Sequence, residues 1–211
     1  MTVVVFDVES DSSFRAFSGA ARDLRFRRME VTVACALVLD SNLCTTAGDD
    51  KALASGVHHH FWRDWAPIAG KGPFEDLLRL FDEADVIVAY NGHDFDLPLM
   101  EKYYGAQGQK RYLAHRIKLL DPFSRIKAAT GVWSKLDDIL KANDIPPKKG
   151  DGLLAIKLWE EGKRSELLAY CTHDVVALAK ACLKRRLVVP GVAVEVPSSA
   201  FGIAAALAAV R

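Results

Sequence analysis

The sequence predicts an α/β fold in which one mixed five-stranded sheet carries helices on its faces. The first observation is a set of five short segments typical of strands, among them continuous apolar runs of β-branched and aromatic residues. The second is their order: three strands, a helix, a strand, a helix, a strand, and then helices. Early strands joined by short connections are typically antiparallel, and later strands separated by helices are typically parallel. We therefore expect three antiparallel strands followed by parallel ones.

The predicted strands differ in their expected exposure. The first, 3–6, is a continuous apolar run that suits a central strand covered on both faces. Strand 57–62 is expected at an edge of the sheet, and strand 117–120 is expected to end at Asp121-Pro122. The remaining two strands are predicted at 31–39 and 85–90.

Helices are predicted where apolar residues recur at helical spacing. In 73–83 they fall at i, i+3, i+4 and i+7 and form one face. Ser134 is predicted to cap a helix over 134–142. Further helices are predicted at 95–104, 151–160 and 164–184, the last of them with a continuous apolar stripe.

The composition fits one domain. The chain has 211 residues, half of them hydrophobic, which is enough for one sizeable core and short for two full domains. We expect residues 1–190 to form the functional domain and 191–211 to be a C-terminal tail that is not a separate domain. With 28 basic and 27 acidic residues, no global basic excess points to a nucleic-acid partner. A binding groove needs only a local basic patch, so such a partner stays open.

The cysteines and the apolar segments predict a location. Cys35, Cys44, Cys171 and Cys182 follow no zinc-binding pattern and no dense disulfide framework, which favours a reducing compartment. The first residues lack the basic region and cleavage site of a signal peptide. The apolar tail 200–210 is too short to span a bilayer, which needs about 20 residues. We therefore expect a cytoplasmic protein without a membrane partner.

Two acidic segments lie near the ends of predicted strands. Asp7 and Glu9 are two residues apart on a strand, so both carboxylates point to the same face. A strand that simply reaches a solvent-exposed loop would look the same. Asp96 follows a strand end and a turn at Asn91-Gly92, and it begins a predicted helix. An ordinary acid favoured by the helix dipole is the alternative there.

The third acidic segment lies on the last predicted helix. Tyr170 and Asp174 are at i and i+4, so they lie on one side of the helix beside its apolar stripe. An acid next to a buried stripe costs free energy unless it is paired or bound to a metal ion. The alternative is an amphipathic helix edge with the acid in water.

Taken in order, the three segments resemble the three exonuclease motifs of the DEDD superfamily of 3′→5′ exonucleases. The spacing of Tyr170 and Asp174 is that of the tyrosine subclass, since the histidine subclass needs a histidine where this chain has Ala169. The second and third motifs are most similar to those of the proofreading exonuclease domain of B-family DNA polymerases and their stand-alone relatives. The resemblance covers residues 3–183 and implies a ribonuclease-H-like fold, which agrees with the mixed sheet.

The resemblance also implies roles for individual residues. Residues 1–190 would form the exonuclease domain, and Tyr170 would position the attacking water. The catalytic metal ligands would be Asp7, Glu9, Asp96 and Asp174. The substrate contacts would be Val8, Asn91, Phe95 and Leu99, although core packing explains Leu99 equally well.

The residue types suit hydrolysis of a phosphodiester. This reaction places negative charge on the phosphorus oxygens and the leaving oxygen, and two divalent ions can stabilise both the attacking and the leaving oxygen. Carboxylate oxygens suit Mg²⁺ or Mn²⁺. We expect a two-metal-ion 3′→5′ exonuclease that acts on single-stranded or frayed DNA and releases nucleoside 5′-monophosphates. The alternatives are the same chemistry on RNA and a non-catalytic nucleic-acid-binding module with a relict site; a polymerase or helicase partner stays open.

Two basic segments have no assigned role. Residues 10–30, serine-rich and then arginine-rich, are expected to form a long connection or a short helix. This segment is either a solvated loop or a basic arm that touches phosphates. Lys148 and Lys149 are expected in a loop before a helix, where a solvated charge run is the commoner explanation and a backbone contact to nucleic acid is the alternative.

Overall fold

A computed structural model gives the fold. It describes residues 2–13, 18–46, 49–64, 72–106, 108–148, 150 and 152–210. Phe14, Phe17 and Lys149, which belong to the two basic segments, and Asp151, the predicted start of a helix, lie outside these residues.

A five-stranded mixed sheet forms the centre of the described chain. In spatial order its strands are β3-β2-β1-β4-β5. β2 is antiparallel to both β1 and β3, whereas β4 is parallel to β1 and β5. The predicted combination of three antiparallel strands with parallel strands is therefore confirmed, and β3 lies at an edge as expected. The strands are β1 (Thr2–Ser10), β2 (Val31–Asp40), β3 (Val57–Trp62), β4 (Val86–Val88) and β5 (Leu119–Leu120).

Helices cover both faces of the sheet. A 3₁₀ turn over Glu101–Tyr104 extends the fifth helix. A second, two-stranded sheet of β6 (Arg186–Leu187) and β7 (Val196–Pro197) follows the tenth helix. The helices are α1 (Gly19–Arg28), α2 (Ser41–Thr46), α3 (Asp49–Ala54), α4 (Glu75–Glu83), α5 (Asp96–Met100), α6 (Gln109–Lys118), α7 (Pro122–Thr130), α8 (Leu136–Ala142), α9 (Gly152–Glu160), α10 (Arg164–Leu183), α11 (Ser198–Phe201) and α12 (Ile203–Val210).

The alternation of β1 divides the core into two layers. Val3 and Val5 pack with residues of β2, α9, α10 and α12 on one face of the sheet. Val4, Phe6 and Val8 pack with α4, α5 and α6 on the other face. Successive side chains of a strand point to opposite faces, so a fully buried β1 requires helices on both sides. This explains why the first predicted strand is apolar at consecutive positions.

The predicted amphipathic helices pack as their patterns indicate. Leu77, Leu78 and Phe81 of α4 are fully buried, and the Phe81 ring lies 4.7 Å from that of Phe6 on β1. The C-terminal residues contribute to the same core, since Leu207 of α12 is buried in the layer that contains α10. Within the described residues, no helix is long and apolar enough to cross a membrane.

Part of the predicted local structure is wrong. Half of predicted strand 117–120 is helical, because α6 continues to Lys118. Only the last two residues of the predicted strand pair with β4. Ser134 does not cap α8; the N-cap is Lys135, without a side-chain hydrogen bond. The carbonyl of Ser134 instead accepts a hydrogen bond from the Tyr90 hydroxyl at 2.6 Å. A tertiary contact therefore fixes this segment, where the sequence indicated a local capping motif.

Candidate active site

β1 directs two acids toward α10. Asp7 and Glu9 continue the alternation that places Val3 and Val5 on the α10 face of the sheet. The thiol of Cys171 on α10 lies 3.6 Å from the Asp7 carbonyl oxygen and 3.8 Å from its Oδ2. The two acids of the first predicted segment therefore face the helix that carries the third.

α10 presents Tyr170 and Asp174 from its buried side. Both belong to the buried stripe of the helix, and Asp174 is 5% exposed. The Tyr170 hydroxyl and Asp174 Oδ1 are buried and have no hydrogen-bond partner among the described residues. A buried polar atom without a partner costs free energy, so both atoms are available to a ligand.

Asp96 joins the cluster from the start of α5. It is 3% exposed, and its carboxylate accepts a hydrogen bond from the backbone N–H of Val8 on β1. That contact sets Asp96 beside the strand between Asp7 and Glu9. The structure therefore brings the four predicted acids together, although they come from three separate parts of the chain.

The turn after β4 is held by an acid that the sequence did not indicate as important. Asn91 has a positive φ of 61°, and its backbone N–H donates to Asp121 Oδ1 at 2.9 Å. Asp121 is buried, and it also caps α7 through the N–H groups of Phe123 and Ser124. Because Asn91 O accepts the Phe95 N–H at 3.0 Å, this one acid fixes the turn that carries two of the four predicted substrate contacts. The Asp121-Pro122 pair could have predicted the start of α7, since Pro is favoured in the first turn of a helix.

A cleft of about 900 Å³ opens over the acids. Three of the predicted acids, Asp7, Glu9 and Asp174, line it together with Lys148. Residues of β1, of the turn before α5, of α7, of α8 and of the loop between α7 and α8 complete the lining. The lining residues are Asp7, Val8, Glu9, Ser10, Ser12, Ser13, Met29, Tyr90, Asn91, Asp94, Phe95, Phe123, Lys127, Trp133, Ser134, Lys135, Leu136, Asp137, Lys148, Gly152, Ile156 and Asp174.

The predicted substrate contacts are not all at this cleft. Val8, Asn91 and Phe95 line it. Leu99 is 1% exposed, packs in the core layer beneath α5, and is not among the described residues that line the cleft. The structure therefore places Leu99 by core packing, which was the alternative explanation. The Nε2 of His173 lies 2.9 Å from the Pro146 carbonyl oxygen.

Burial raises the pKa of the site acids, and neighbouring acids add to the shift for Asp7 and Glu9. Burial raises the pKa of Glu9 to about 8, with further contributions from Asp174 and Asp96, while Lys148 opposes the shift. Burial likewise raises the pKa of Asp96 to about 7, against the hydrogen bond from Val8. Burial and the charges of the other three acids raise the pKa of Asp7 well above its usual range. Crowded buried carboxylates resist ionisation unless cations accompany them.

Lys148 supplies one such cation, and the sequence pattern did not reveal this position. Its ammonium lies 2.5 Å from Asp174 Oδ2 and 4.5 Å from the centre of the Tyr170 ring. The neighbouring acids hold the pKa of Lys148 above its usual value despite burial. The expectation of a solvated charge run is therefore wrong for Lys148. Nothing in the local sequence distinguishes this lysine. Its partner Asp174 is 26 residues away, and the other acids that act on it, Asp7 and Glu9, lie on β1.

The cluster could hold metal ions. Ligand atoms of Asp7, Glu9 and Cys171 lie within 4.8 Å of one another. Carboxylate oxygens outnumber the single thiol among these potential metal ligands. Asp174 Oδ1, which has no hydrogen-bond partner among the described residues, is a further oxygen ligand nearby. Oxygen-rich donor sets suit hard divalent ions such as Mg²⁺ and Mn²⁺. These residues therefore fit the ions that the sequence predicts.

The family of the chain follows from a family model. A model of the RNase_H superfamily, RNase_H_2, matches residues 69–185, which is more than half of the 211 residues. The chain belongs to the RNase H superfamily. The match to this superfamily of nucleases includes Asp96, Tyr170 and Asp174 and begins after β1. No curated protein sequence matches the chain.

A solved structure has a similar fold. The RNase H superfamily chain is similar to the family B DNA polymerase from the hyperthermophilic archaeon Pyrobaculum calidifontis, with a TM-score of 0.57 and 16% sequence identity. The similarity covers 98% of this chain and 27% of the polymerase chain, so the chain spans about a quarter of that protein's length. At this identity the likeness concerns the fold. The predicted resemblance to B-family polymerases is confirmed at that level, together with the ribonuclease-H-like fold.

Proposed function

We propose that this RNase H superfamily member is a metal-dependent 3′→5′ exonuclease of the tyrosine subclass that shortens single-stranded or frayed DNA. One observation carries the proposal: Asp7, Glu9 and Asp174 line one open cleft, and the buried Asp96 is close enough for its charge to act on Asp7 and Glu9. The fold similarity to a DNA polymerase supports DNA as the substrate.

The four acids would hold two Mg²⁺ or Mn²⁺ ions. When bound, the ions would stabilise negative charge on the attacking and leaving oxygens of the phosphodiester. Two features support this assignment. The donors are almost all carboxylate oxygens, and Asp174 Oδ1 is buried without a partner among the described residues. The charges of neighbouring acids also raise the pKa of Asp7 and of Glu9, which favours added positive charge beside these two carboxyl groups.

Tyr170 would orient the attacking water. Burial raises its pKa, so the hydroxyl stays protonated at neutral pH and serves as a hydrogen-bond partner, not as a base. Lys148 keeps a positive charge over the Tyr170 ring and against Asp174. That charge suits the electrostatic stabilisation of a phosphate near the same two residues.

Asn91 and Phe95 would contact the terminal nucleotide. Asn91 presents a side-chain amide from a turn that Asp121 fixes, and Phe95 lines the cleft next to it. An aromatic ring stacks on any base, so this contact would be tolerant of sequence. The released products would be nucleoside 5′-monophosphates.

Purified protein and end-labelled oligonucleotides test the proposal. A 5′-labelled single-stranded DNA should give a ladder that shortens from the 3′ end with Mg²⁺ or Mn²⁺ and remains intact with EDTA. A matched RNA and a blunt duplex should be degraded more slowly. Faster degradation of the RNA would make the protein an exoribonuclease instead. Internal cuts, or binding without any metal-dependent degradation, would overturn the proposal, and the latter result would favour a non-catalytic binding module.

A further inference from the structure

The loop between α7 and α8 carries an aromatic side chain whose exposure to solvent is not explained by the packing of the core. Trp133 is 62% exposed, although it lies on the wall of the cleft. Large apolar side chains lose hydrophobic stabilisation when they remain in water, and tryptophan is more often buried on average. The side chain is therefore available to a ligand that enters the cleft.

The loop holds Trp133 in a fixed place. On its N-terminal side, Gly131 adopts a φ of 74° at the end of α7, and the Val132 N–H donates to Thr130 Oγ1 at 3.1 Å. On its C-terminal side, Ser134 is buried, and its carbonyl oxygen accepts the Tyr90 hydroxyl. Both neighbours of the tryptophan are thus anchored, while the indole itself remains exposed. A ring presented from an anchored loop loses little conformational entropy when it binds.

A second ring supports the first. Phe123 at the start of α7 lies 5.8 Å from the Trp133 ring, nearly perpendicular to it at 85°. The Tyr90 ring lies 5.7 Å from that of Phe123, and Tyr90 follows the end of β4. The three rings therefore connect the exposed indole with the turn after β4. An edge-to-face arrangement leaves the outer face of the indole free to stack.

Two lysines lie beside this aromatic group. Lys127 on α7 and Lys135 at the start of α8 are exposed, and both line the cleft. Neither forms an ion pair with another residue in the part of the chain that the structure describes. Asp137 also lines this wall, so the wall carries two positive charges and one negative charge. A net positive wall with an exposed ring fits a polymer of negative phosphates and flat bases.

We infer that Trp133, supported by Phe123 and flanked by Lys127 and Lys135, is a stacking site for one unpaired nucleobase upstream of the 3′-terminal nucleotide. The inference rests on the proposed function only for the polarity of the bound nucleic acid, that is, for which of its ends lies at the acids. The terminal nucleotide would lie at Asn91 and Phe95, and an upstream base would lie at Trp133. A paired base is stacked inside a duplex and cannot cover the indole, so the site selects single strands. This is a property of the cleft wall, separate from the acids.

Binding without cleavage isolates the stacking contact. In EDTA, single-stranded oligonucleotides can be titrated against the protein with one abasic residue placed at each successive position from the 3′ end. One internal abasic position should weaken binding to the wild-type protein roughly 5- to 150-fold. The same position should cost little in Trp133→Ala, because the stacking partner has already been removed. Trp133→Phe should restore most of the position-specific loss.

Controls separate stacking from general damage. Ile117, 86% exposed on α6, is not among the described residues that line the cleft, so Ile117→Ala should keep the wild-type abasic profile. The double variant Lys127→Ala/Lys135→Ala should keep the abasic profile too, while the slope of log affinity against log salt decreases by about 1.4. DNA and RNA oligonucleotides of the same sequence would show whether the stacked base belongs to DNA or to RNA.

Failure of this inference is distinguishable from failure of the proposed function. An active exonuclease whose abasic profile is identical in wild type and Trp133→Ala would overturn the stacking site alone. A protein that shows the Trp133-dependent profile yet degrades nothing would keep the stacking site and remove the exonuclease.

Discussion

At the scale of single residues, Asp7 lies where the acids of β1 meet α10. Its Oδ2 is 3.8 Å from the Cys171 thiol, and the charges of Glu9, Asp174 and Asp96 all act on it. No other acid of the cluster has its pKa raised by all three of the remaining ones. Asp7 is therefore the acid on which two bound ions would depend most.

Asp7→Asn should remove activity without loss of the fold. We expect the cleavage rate to fall at least about 10³-fold, since divalent ions contribute several kcal/mol to transition-state stabilisation. The unfolding temperature of the metal-free variant should equal or exceed that of the wild type, because one buried charge has been removed from a repulsive cluster. Single-turnover rates and thermal unfolding measure the two effects. The matched control is Glu160→Gln, an exposed acid on α9 that should keep wild-type rates; a rapid Asp7→Asn enzyme would contradict the assignment.

Tyr170→Phe should slow the reaction less. The hydroxyl is buried without a partner among the described residues, so its loss removes a contact to the water and leaves the packing of the ring. We expect a rate reduction of about 10- to 100-fold. Stability should be unchanged or higher by about 1 kcal/mol, since an unsatisfied polar atom is removed. Because Tyr170 remains protonated at neutral pH, the pH profile of the variant should keep its shape; a lost limb would instead identify the tyrosine as a base.

At the scale of elements, the turn between β4 and α5 sets the substrate contacts. Gly92 follows Asn91 in this turn, and its carbonyl oxygen accepts the Leu97 N–H at 3.0 Å. A Cβ at Gly92 would lie 2.6 Å from the Ala89 Cβ and 3.3 Å from Leu119 Cδ2. Only a residue without a side chain lets the turn pack this closely against β4 and β5.

Gly92→Ala should therefore displace the turn. The overpacking should cost about 1–3 kcal/mol of the free energy of unfolding, which denaturant titration measures. Activity should fall as well, because Asn91 and Phe95 move with the turn. Gly72→Ala is the matched control: the added Cβ would meet one atom, the Tyr103 carbonyl oxygen, at 4.0 Å. Equal stability of the two variants would show that the turn adapts without strain.

At the scale of the whole molecule, the fold concentrates negative charge that the nearly neutral total conceals. The net charge is +1, yet four acids share one site with the single ammonium of Lys148 among the described residues that contact them. Folding in the absence of metal therefore keeps some of these carboxyl groups protonated. Bound divalent ions would remove that cost, so metal binding and stability must be linked.

The metal-free protein should lose stability as the pH rises from about 5 to 8. Burial raises the pKa of Glu9 from its usual 4.5 to about 8 and that of Asp96 from its usual 3.8 to about 7. Between the unfolded and the folded pKa, the folded state binds more protons, so unfolding becomes easier with increasing pH. The slope should be roughly 1.4 kcal/mol per pH unit for each such group. Above about pH 8 the loss should level off, because both states are then ionised.

Mn²⁺ should reverse this loss. The rise in unfolding temperature on addition of Mn²⁺ should be larger at pH 8 than at pH 6, and calorimetry in two buffers at pH 6.5 should detect proton release. Asp7→Asn should weaken both effects. A stability that rises with pH in EDTA would contradict the buried, mutually repelling arrangement of the acids.

Much of the fold was determined by local sequence. The alternation of β1, the apolar face of α4 and the stripe of α10 each follow from the period of one element, and each is seen in the structure. The pairing of Asp7 with Glu9 on one face also follows from strand geometry alone. The sequence missed α6 and α7, because their patterns are weakly apolar, and half of the strand predicted at 117–120 belongs to α6.

The tertiary structure alone decided how the site is completed. No sequence periodicity relates Lys148 to Asp174 or Asp121 to Asn91, because these contacts form between different elements. The position of Trp133 at the cleft likewise depends on how the elements pack. Leu99 is the converse case. Its position in the second motif predicted a substrate contact, but the packing of the elements buries it in the core. Local sequence specifies which face a side chain takes on its own element; only the packing of elements determines what that face meets.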